Sequence, residues 1–407
     1  MFSKSKRVNI VITFVLLFIA GIPVWWNTTT TYRSNVDFTE INEYYNLKDN
    51  ITQSKWPLFK QLFNQVGPIQ HDIEVKTATE YSLSFTLLNS DPSDIIPKWD
   101  FPYLSNKYIQ PFIEQISDIA NFTVQSKISH YATLLKSPLY DSKENSYYIP
   151  SAFLSEYINP NEWQLDTPST NQPTLNFIIY IPKTTQSPLY IRSNQNSNSF
   201  LIPQWGGIII HNVNNNKNKN NNGPIDLTNE LEDQMVSFKY QLKELLGINN
   251  ENNKNNNKNN EKKEKKYLEK DIILSNDEID STIKRYTAEN INVSISTLYS
   301  LSSLIESLPN MLVLDNIRDQ VKVAIESLGR AHQCLEQSDY NCALQASKQS
   351  LASSESAFFD KNMLSQLYFP DEHKYAVYTP LFVPVCFPII AGIFQEFKHY
   401  RNKKLKK

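Results

Sequence analysis

Two apolar stretches, one near each end of the chain, constrain its fold more than any other feature. The first covers residues 8–26 and the second 375–395. About 20 apolar residues carry a helix across a bilayer, so both stretches have the length of a membrane span. Lys4, Lys6 and Arg7 precede the first; Lys398, Arg401, Lys403, Lys404, Lys406 and Lys407 follow the second. Only Arg33, Lys361 and Lys374 lie near the inner flanks. Lys and Arg collect on cytoplasmic flanks, so both termini are expected in the cytosol and everything between the spans on the far side. A cleaved signal peptide is the alternative for the first span. No small-x-small site follows it, and Trp25-Trp26 suits the aromatic belt of an uncleaved anchor.

This reading divides the chain into a cytoplasmic start (1–7), a first transmembrane helix (8–26) and a short lead-in (27–80). A main α/β region follows (81–247, with an Asn-rich loop at 214–222), then a low-complexity Asn/Lys loop (248–270) and a helical region (271–374). The second transmembrane helix (375–395) and a basic tail (396–407) complete it. The two Asn/Lys tracts hold almost no apolar residues, so they cannot bury enough surface to fold and mark loops.

Within the α/β region, "EYSLSFTLLNSDP" alternates and ends in turn residues, as a strand does. "KYIQPFIEQISDIA" places Tyr108, Phe112, Ile116 and Ile119 at helical spacing. "NFTVQSKISHYATL", "LNFIIYIP", "SPLYIR" and "WGGIIIHNV" read as strands. "LEDQMVSFKYQLKELLG" reads as an amphipathic helix stopped by Gly247. A short helix is expected near Trp56–Phe63. Further on, Leu314, Ile317, Val321, Ile325, Leu328, Ala331 and Leu335 step by three and four. After a turn at 338–341, Leu344, Ser347, Leu351, Ser354 and Phe358 do the same, which predicts a helical hairpin. The fold class expected is α+β: a mixed sheet with helices plus a C-terminal helical hairpin, held between two transmembrane helices.

Composition removes several functions. A formal net charge of −2 gives no basic surface for nucleic acid. Only 8 glycines occur, and neither a G-x-x-x-x-G-K nor a G-x-G-x-x-G motif is present. His71, His130, His211, His332, His373 and His399 fall in no H-E-x-x-H motif, no C-x-x-C occurs, and no G-x-S-x-G marks a nucleophile. No catalytic residue, cofactor or metal site is therefore expected.

Other positions carry structural or interaction readings. Asn50, Asn121 and Asn292 open N-x-[ST] sequons in the inferred lumenal part; Asn27 opens a fourth that abuts the membrane. Of the three cysteines, Cys386 lies in the second span. Cys334 and Cys342 flank the hairpin turn, where either a disulfide or two separate thiols fit. Trp205-Gly206-Gly207 breaks the rule that strands avoid glycine; a bulge with Trp in the core and a partner interface anchored by Trp both account for it. In the second span Pro380, Pro384 and Pro388 share one helical face with Val377 and Ala391. That face is expected to pack on a partner subunit, because small surfaces allow close helix approach. Phe382, Cys386, Ile389 and Ile393, opposite, are expected to face lipid.

Several segments together resemble one family. "GIPVWWNTTTTYR" (21–33), "PQWGGIIIHNV" (203–213) and "SSESAFFDKNMLSQLYFPDEHKYAVYTPLFVPVCFPII" (353–390) resemble segments of the phosphatidylinositol-glycan class S (PIG-S) family. "LNSDP", "YIQPFI", "LNFIIYIP" and "SPLYI" recur between them in the family's order. The resemblance implies a non-catalytic, scaffolding subunit of the GPI transamidase of the endoplasmic-reticulum membrane. It implies that the Cys–His catalytic site lies on the PIG-K subunit, and that PIG-K, PIG-T, PIG-U and the GAA-type subunit are partners alongside membrane lipid. The region between the first span and "EYSLSFTLLNSDP" is shorter than the family's by roughly a hundred residues, about the size of a small domain, so the first lumenal region is expected to be reduced.

Overall fold

The computed structural model describes residues 4–29, 32–46, 55–67, 73–159, 163, 172–192, 196–213, 223–248, 274–308, 311–361 and 372–404. The helices are α1 (Lys4–Thr29), α2 (Thr39–Asn46), α3 (Pro57–Val66), α4 (Phe101–Leu104) and α5 (Gln110–Gln115). After them come α6 (Glu232–Leu245), α7 (Asn276–Ser307), α8 (Asp315–Glu336), α9 (Tyr340–Phe358) and α10 (Glu372–Lys404). The longer strands are β1 (Glu80–Asn89), β3 (Asn121–His130), β5 (Ser146–Pro150), β6 (Thr174–Ile181) and β10 (Gly206–Ile210). The shorter ones are β2 (Pro97–Lys98), β4 (Leu139–Asp141), β7 (Leu189–Arg192), β8 (Asn196–Ser197), β9 (Ser199–Ile202) and β11 (Ile225–Asp226). The expected mixture of sheets and helices with C-terminal helices is present. The chain divides into two compact units, 57–291 with 330–348, and 1–56 with 292–329 and 349–407.

The α/β unit is built on a five-stranded sheet in the order β3-β1-β6-β10-β9. The first four strands run parallel, and β9 is antiparallel to β10. Parallel strands need crossovers and are covered on both faces. That explains a feature of β1: its alternation reads as one wet face, yet Ser82, Ser84 and Thr86 are as buried as Leu83 and Phe85. On one face Phe85 stands 5.2 Å from Phe101, 5.1 Å from Phe177 and 5.8 Å from Phe238, so α4 and α6 are pinned to the sheet through aromatic rings. Leu88, Ile178, Tyr180, Ile208 and Ile210 fill the other face in a second cluster with Trp163, whose indole Nε1 donates to the Thr133 carbonyl at 2.9 Å. A four-stranded sheet, β4-β5-β7-β8, contributes Ile149, Leu189 and Ile191 to that cluster.

Between α4 and α5 the chain takes a π-helical turn over Ser105–Ile109, which the periodicity alone does not reveal. A capping box starts α7: Ser275 N–H donates to Glu278 Oε2 at 3.1 Å, and Glu278 N–H donates to Ser275 Oγ at 3.3 Å. Lys243 Nζ adds an ion pair to the same carboxylate at 2.8 Å.

The hairpin of α8 and α9 turns where expected. Asp339 N–H donates to the Cys334 carbonyl at 2.9 Å and Ser338 N–H to Leu335 at 3.0 Å, with Ser338 at φ 59°. This is a Schellman ending with serine in the left-handed position. Asp339 Oδ1 then accepts from Cys342 N–H at 2.9 Å, capping α9. Ser347 and Ser354 are fully buried because their hydroxyls donate to the carbonyls of Leu344 and Leu351, at 2.8 and 2.9 Å.

In the other unit, the residues that follow α1 are tied to distant chain. Tyr32 Oη donates to Asp315 at 3.0 Å, and Ser34 N–H to the Val313 carbonyl at 2.8 Å. Tyr45 stacks on Tyr299 with ring centroids 3.7 Å apart. The two terminal helices lie side by side. Val15 and Phe18 are half-buried on α1, and Phe382, Cys386 and Ile389 are half-buried on α10. Ala391 is half-buried as well, and Ile393 is 45% exposed. Pro380, Pro384 and Pro388 are exposed and Val377 is 62% exposed. Among the described residues no helix is long and apolar enough to cross a membrane. The spans expected at 8–26 and 375–395 fall in α1 and α10, where several side chains lie outside the described residues.

Candidate interaction site on the sheet

The Trp205-Gly206-Gly207 segment sits where β9 turns into β10. Pro203 and Gln204 are the turn's central residues, and Trp205 N–H closes it onto the Ile202 carbonyl at 3.2 Å. Gln204 has φ 60°, a value that favours glycine. Each glycine then has its own reason. Gly206 has φ +150°, and a Cβ there would stand 1.9 Å from the Asn176 carbonyl oxygen of β6. A Cβ on Gly207 would fall 1.8 Å from Gln241 Oε1. Gln241 lies on α6 with its amide lying against the sheet, and its Nε2 donates to the Phe200 carbonyl at 3.2 Å. Gly207 thus lets α6 sit directly on β10, and Gly206 lets β10 approach the backbone of β6. Trp205 is half-buried against the second core cluster, and its carbonyl accepts from Asn176 N–H at 3.0 Å.

At the carboxyl end of β10 a cleft of about 540 Å³ opens, lined by Thr184, Ser187, Tyr190, Asn198, His211 and Gln234 among others. Ligands of open parallel sheets bind at such carboxyl ends. Asn212 fixes one wall: its Oδ1 accepts from Leu189 N–H and its Nδ2 donates to the Leu189 carbonyl, both at 2.9 Å. The Gln234 amide reaches the Leu231 and Glu230 carbonyls at 3.3 and 2.8 Å when its nitrogen faces them. Its oxygen then faces His211 Nδ1, 3.3 Å away, so Nδ1 carries the proton. His211 Nε2 lies 3.6 Å from Glu230 Oε2. Burial holds the imidazole below its ordinary pKa, with Glu230 opposing. The cleft offers hydrogen bonds to a small polar group. No hydrogen bond among the described residues joins Ser187 to a histidine.

The remaining sequence candidates are dispersed. Asn50 lies outside the described residues; Asn121 is the first residue of β3 and Asn292 an exposed residue within α7. Cys334 and Cys342 are joined as a disulfide, with Cα atoms 5.7 Å apart. Val377, Pro380, Pro384, Pro388 and Ala391 lie along α10, an element separate from Trp205, Gly206 and Gly207. The cleft itself has no linear signal, since its walls come from the β6–β7 connection, the end of β10 and α6.

Fold and site define a mixed α+β protein whose chain is bracketed by two long terminal helices. The family model described as "Phosphatidylinositol-glycan biosynthesis class S protein" matches residues 62–403. The chain belongs to this PIG-S family. It is 32% identical over 361 residues to the Bos taurus protein named "GPI-anchor transamidase component PIGS", covering 88% of this chain and 62% of that protein. The Homo sapiens protein of the same name is 30% identical over the same shares. The Saccharomyces cerevisiae protein named "GPI transamidase component GPI17" is 26% identical over 383 residues, 89% of this chain and 65% of that protein. The chain thus spans just under two thirds of the length of these relatives.

Proposed function

We propose that this chain is a non-catalytic subunit of an endoplasmic-reticulum GPI transamidase, needed for joining preassembled GPI anchors to the carboxyl ends of precursor proteins. The observation that carries this is the family match over residues 62–403, with relatives named as transamidase components. The chemistry is assigned to a Cys–His site on the PIG-K subunit; this chain scaffolds, with PIG-T, PIG-U and the GAA-type subunit as further partners.

Both termini face the cytosol in this reading, and the intervening chain is lumenal. The support is the apolar sequence of 8–26 and 375–395 with nine basic residues outside them. The short lead-in at 27–80 stands in for a longer first lumenal region. The exposed proline face of α10 packs on a partner subunit, while the Phe382–Ile389 side is occupied by α1. Trp205 anchors a lumenal contact.

Affinity purification of the tagged full chain from mild detergent tests the proposal. A Cys–His transamidase subunit should co-purify, and deleting the chain should strip GPI-anchored reporters from the cell surface. Purification of the chain alone, with reporters intact after deletion, would sink it. Photo-crosslinkers at Val377 and Ala391 should capture a partner subunit. Those at Phe382 should capture α1 of the same chain.

A further inference from the structure

On one side the main sheet ends in β3. β3 pairs with β1 without a bulge, from Glu80↔Asn121 to Asn89↔His130. Among the described residues nothing pairs with its other side. An open outer strand is a template for another chain, and proteins blunt it with short length, proline, bulges or charge. β3 has ten residues, no proline and one Lys, Lys127, at its seventh position. Its first six residues, Asn121–Ser126, carry no charge.

The same six residues open with the sequon Asn121-Phe122-Thr123. A strand sends alternate side chains to opposite faces. Phe122 and Val124 pack on the main core, so Asn121 and Thr123 share the other face, and both are exposed there. The acceptor amide and the hydroxyl of the sequon are presented together. The sequon at Asn292 differs: it lies within α7, and its Ser294 is 0% exposed.

We propose that Asn121 is the glycan acceptor of this chain and that its glycan guards the open edge of the main sheet. This rests on the lumenal placement proposed above. The glycan comes from a lipid-pyrophosphate donor. A bond forms between the sugar's anomeric carbon and Asn121 Nδ2, the bond from that carbon to the pyrophosphate oxygen breaks, and one amide proton is released. A second chain adding to β3 would lie about 4.8 Å away, and its side chains on the Asn121 face would meet the sugar. The glycan blunts the first half of the strand as Lys127 blunts the second.

Full-length chain would be expressed in glycosylating cells as wild type, Asn121→Gln, Thr123→Ala, Asn292→Gln and Asn50→Gln. Peptide-N-glycosidase treatment and gel mobility give site use; co-purification of two differently tagged copies gives self-association. Asn121→Gln and Thr123→Ala should each lose one glycan, and the second copy should co-purify several-fold more. Adding Gln125→Lys to Asn121→Gln should reverse the self-association without restoring the glycan. A mobility shift from the Asn50 or Asn292 variants alone overturns the site while leaving the lumenal placement standing. No glycan on any form overturns both. Loss of the Asn121 glycan with unchanged self-association, or no reversal by Gln125→Lys, overturns the guard role.

Discussion

Replacing Gly206 by alanine tests the packing of the main sheet at its tightest point. The added methyl would stand 1.9 Å from the Asn176 carbonyl oxygen. That neighbour is the backbone of β6, so no side chain can swing aside. Overpacking of this kind costs about 1–3 kcal/mol. The φ of +150°, which alanine tolerates poorly, adds about 1–3 kcal/mol. The bond from Asn176 N–H to the Trp205 carbonyl, 3.0 Å long, would be pulled apart, a loss of about 1 kcal/mol. Together these give roughly 3–7 kcal/mol, against a typical domain stability of about 5–15 kcal/mol. Gly223→Ala is the control, because nothing lies within 4 Å of its Cβ, and such changes stay within about 0.5 kcal/mol. Urea unfolding followed by tryptophan fluorescence, with cellular abundance measured in parallel, reads the difference. The Gly206→Ala midpoint should fall by at least about 1 M. A midpoint and abundance matching the Gly223→Ala control would show that β6 and β10 are not held by this close approach.

Other expectations follow from single features. Gly329→Ala, inside α8 with nothing within 4 Å of the new Cβ, should raise stability by up to about 1 kcal/mol in the same unfolding assay. Cys342→Ser opens a loop of sequence separation 8; the chain-entropy model gives a loss of about 2.5 kcal/mol, measured against wild type in oxidising buffer. Burial holds both His211 and His332 below their ordinary pKa. The unfolded chain therefore takes up protons first, and stability should fall as pH drops below about 6.5; His211→Gln should flatten that slope in a pH series of melts. Trp205→Ala should keep normal abundance but lose partner subunits on purification, whereas Gly207→Val should lose abundance outright; equal loss of abundance would assign Trp205 to the core.

Much of the α/β unit was legible because its central elements carry clean periods. β1, β3, β6 and β10 read as strands, and α6 as an amphipathic helix stopped at Gly247, whose φ is +66°. The hairpin of α8 and α9 was legible from its steps of three and four. α7 was not singled out, because Thr282, Thr287, Asn290, Ser294 and Ser302 are buried on it and interrupt the apolar period. Short strands such as β4 and β8 offer too few residues for any period. The glycine pair stood out as an exception to strand chemistry, but its cause did not: Gln241 arrives from an element more than thirty residues further along. The side chains that form the cleft are brought together only by the sheet order.

The contact between Tyr32 and Asp315 spans 283 residues. At synthesis rates of about 5–20 residues per second, the partner of Tyr32 follows it by roughly 14–57 s. Through that interval Tyr32 lacks its carboxylate partner, and α1 waits longer still for α10. The stretch that holds Tyr32 and Ser34 is thus completed only once Val313 and Asp315 have been made, leaving a window in which a chaperone or a neighbouring subunit can reach it first.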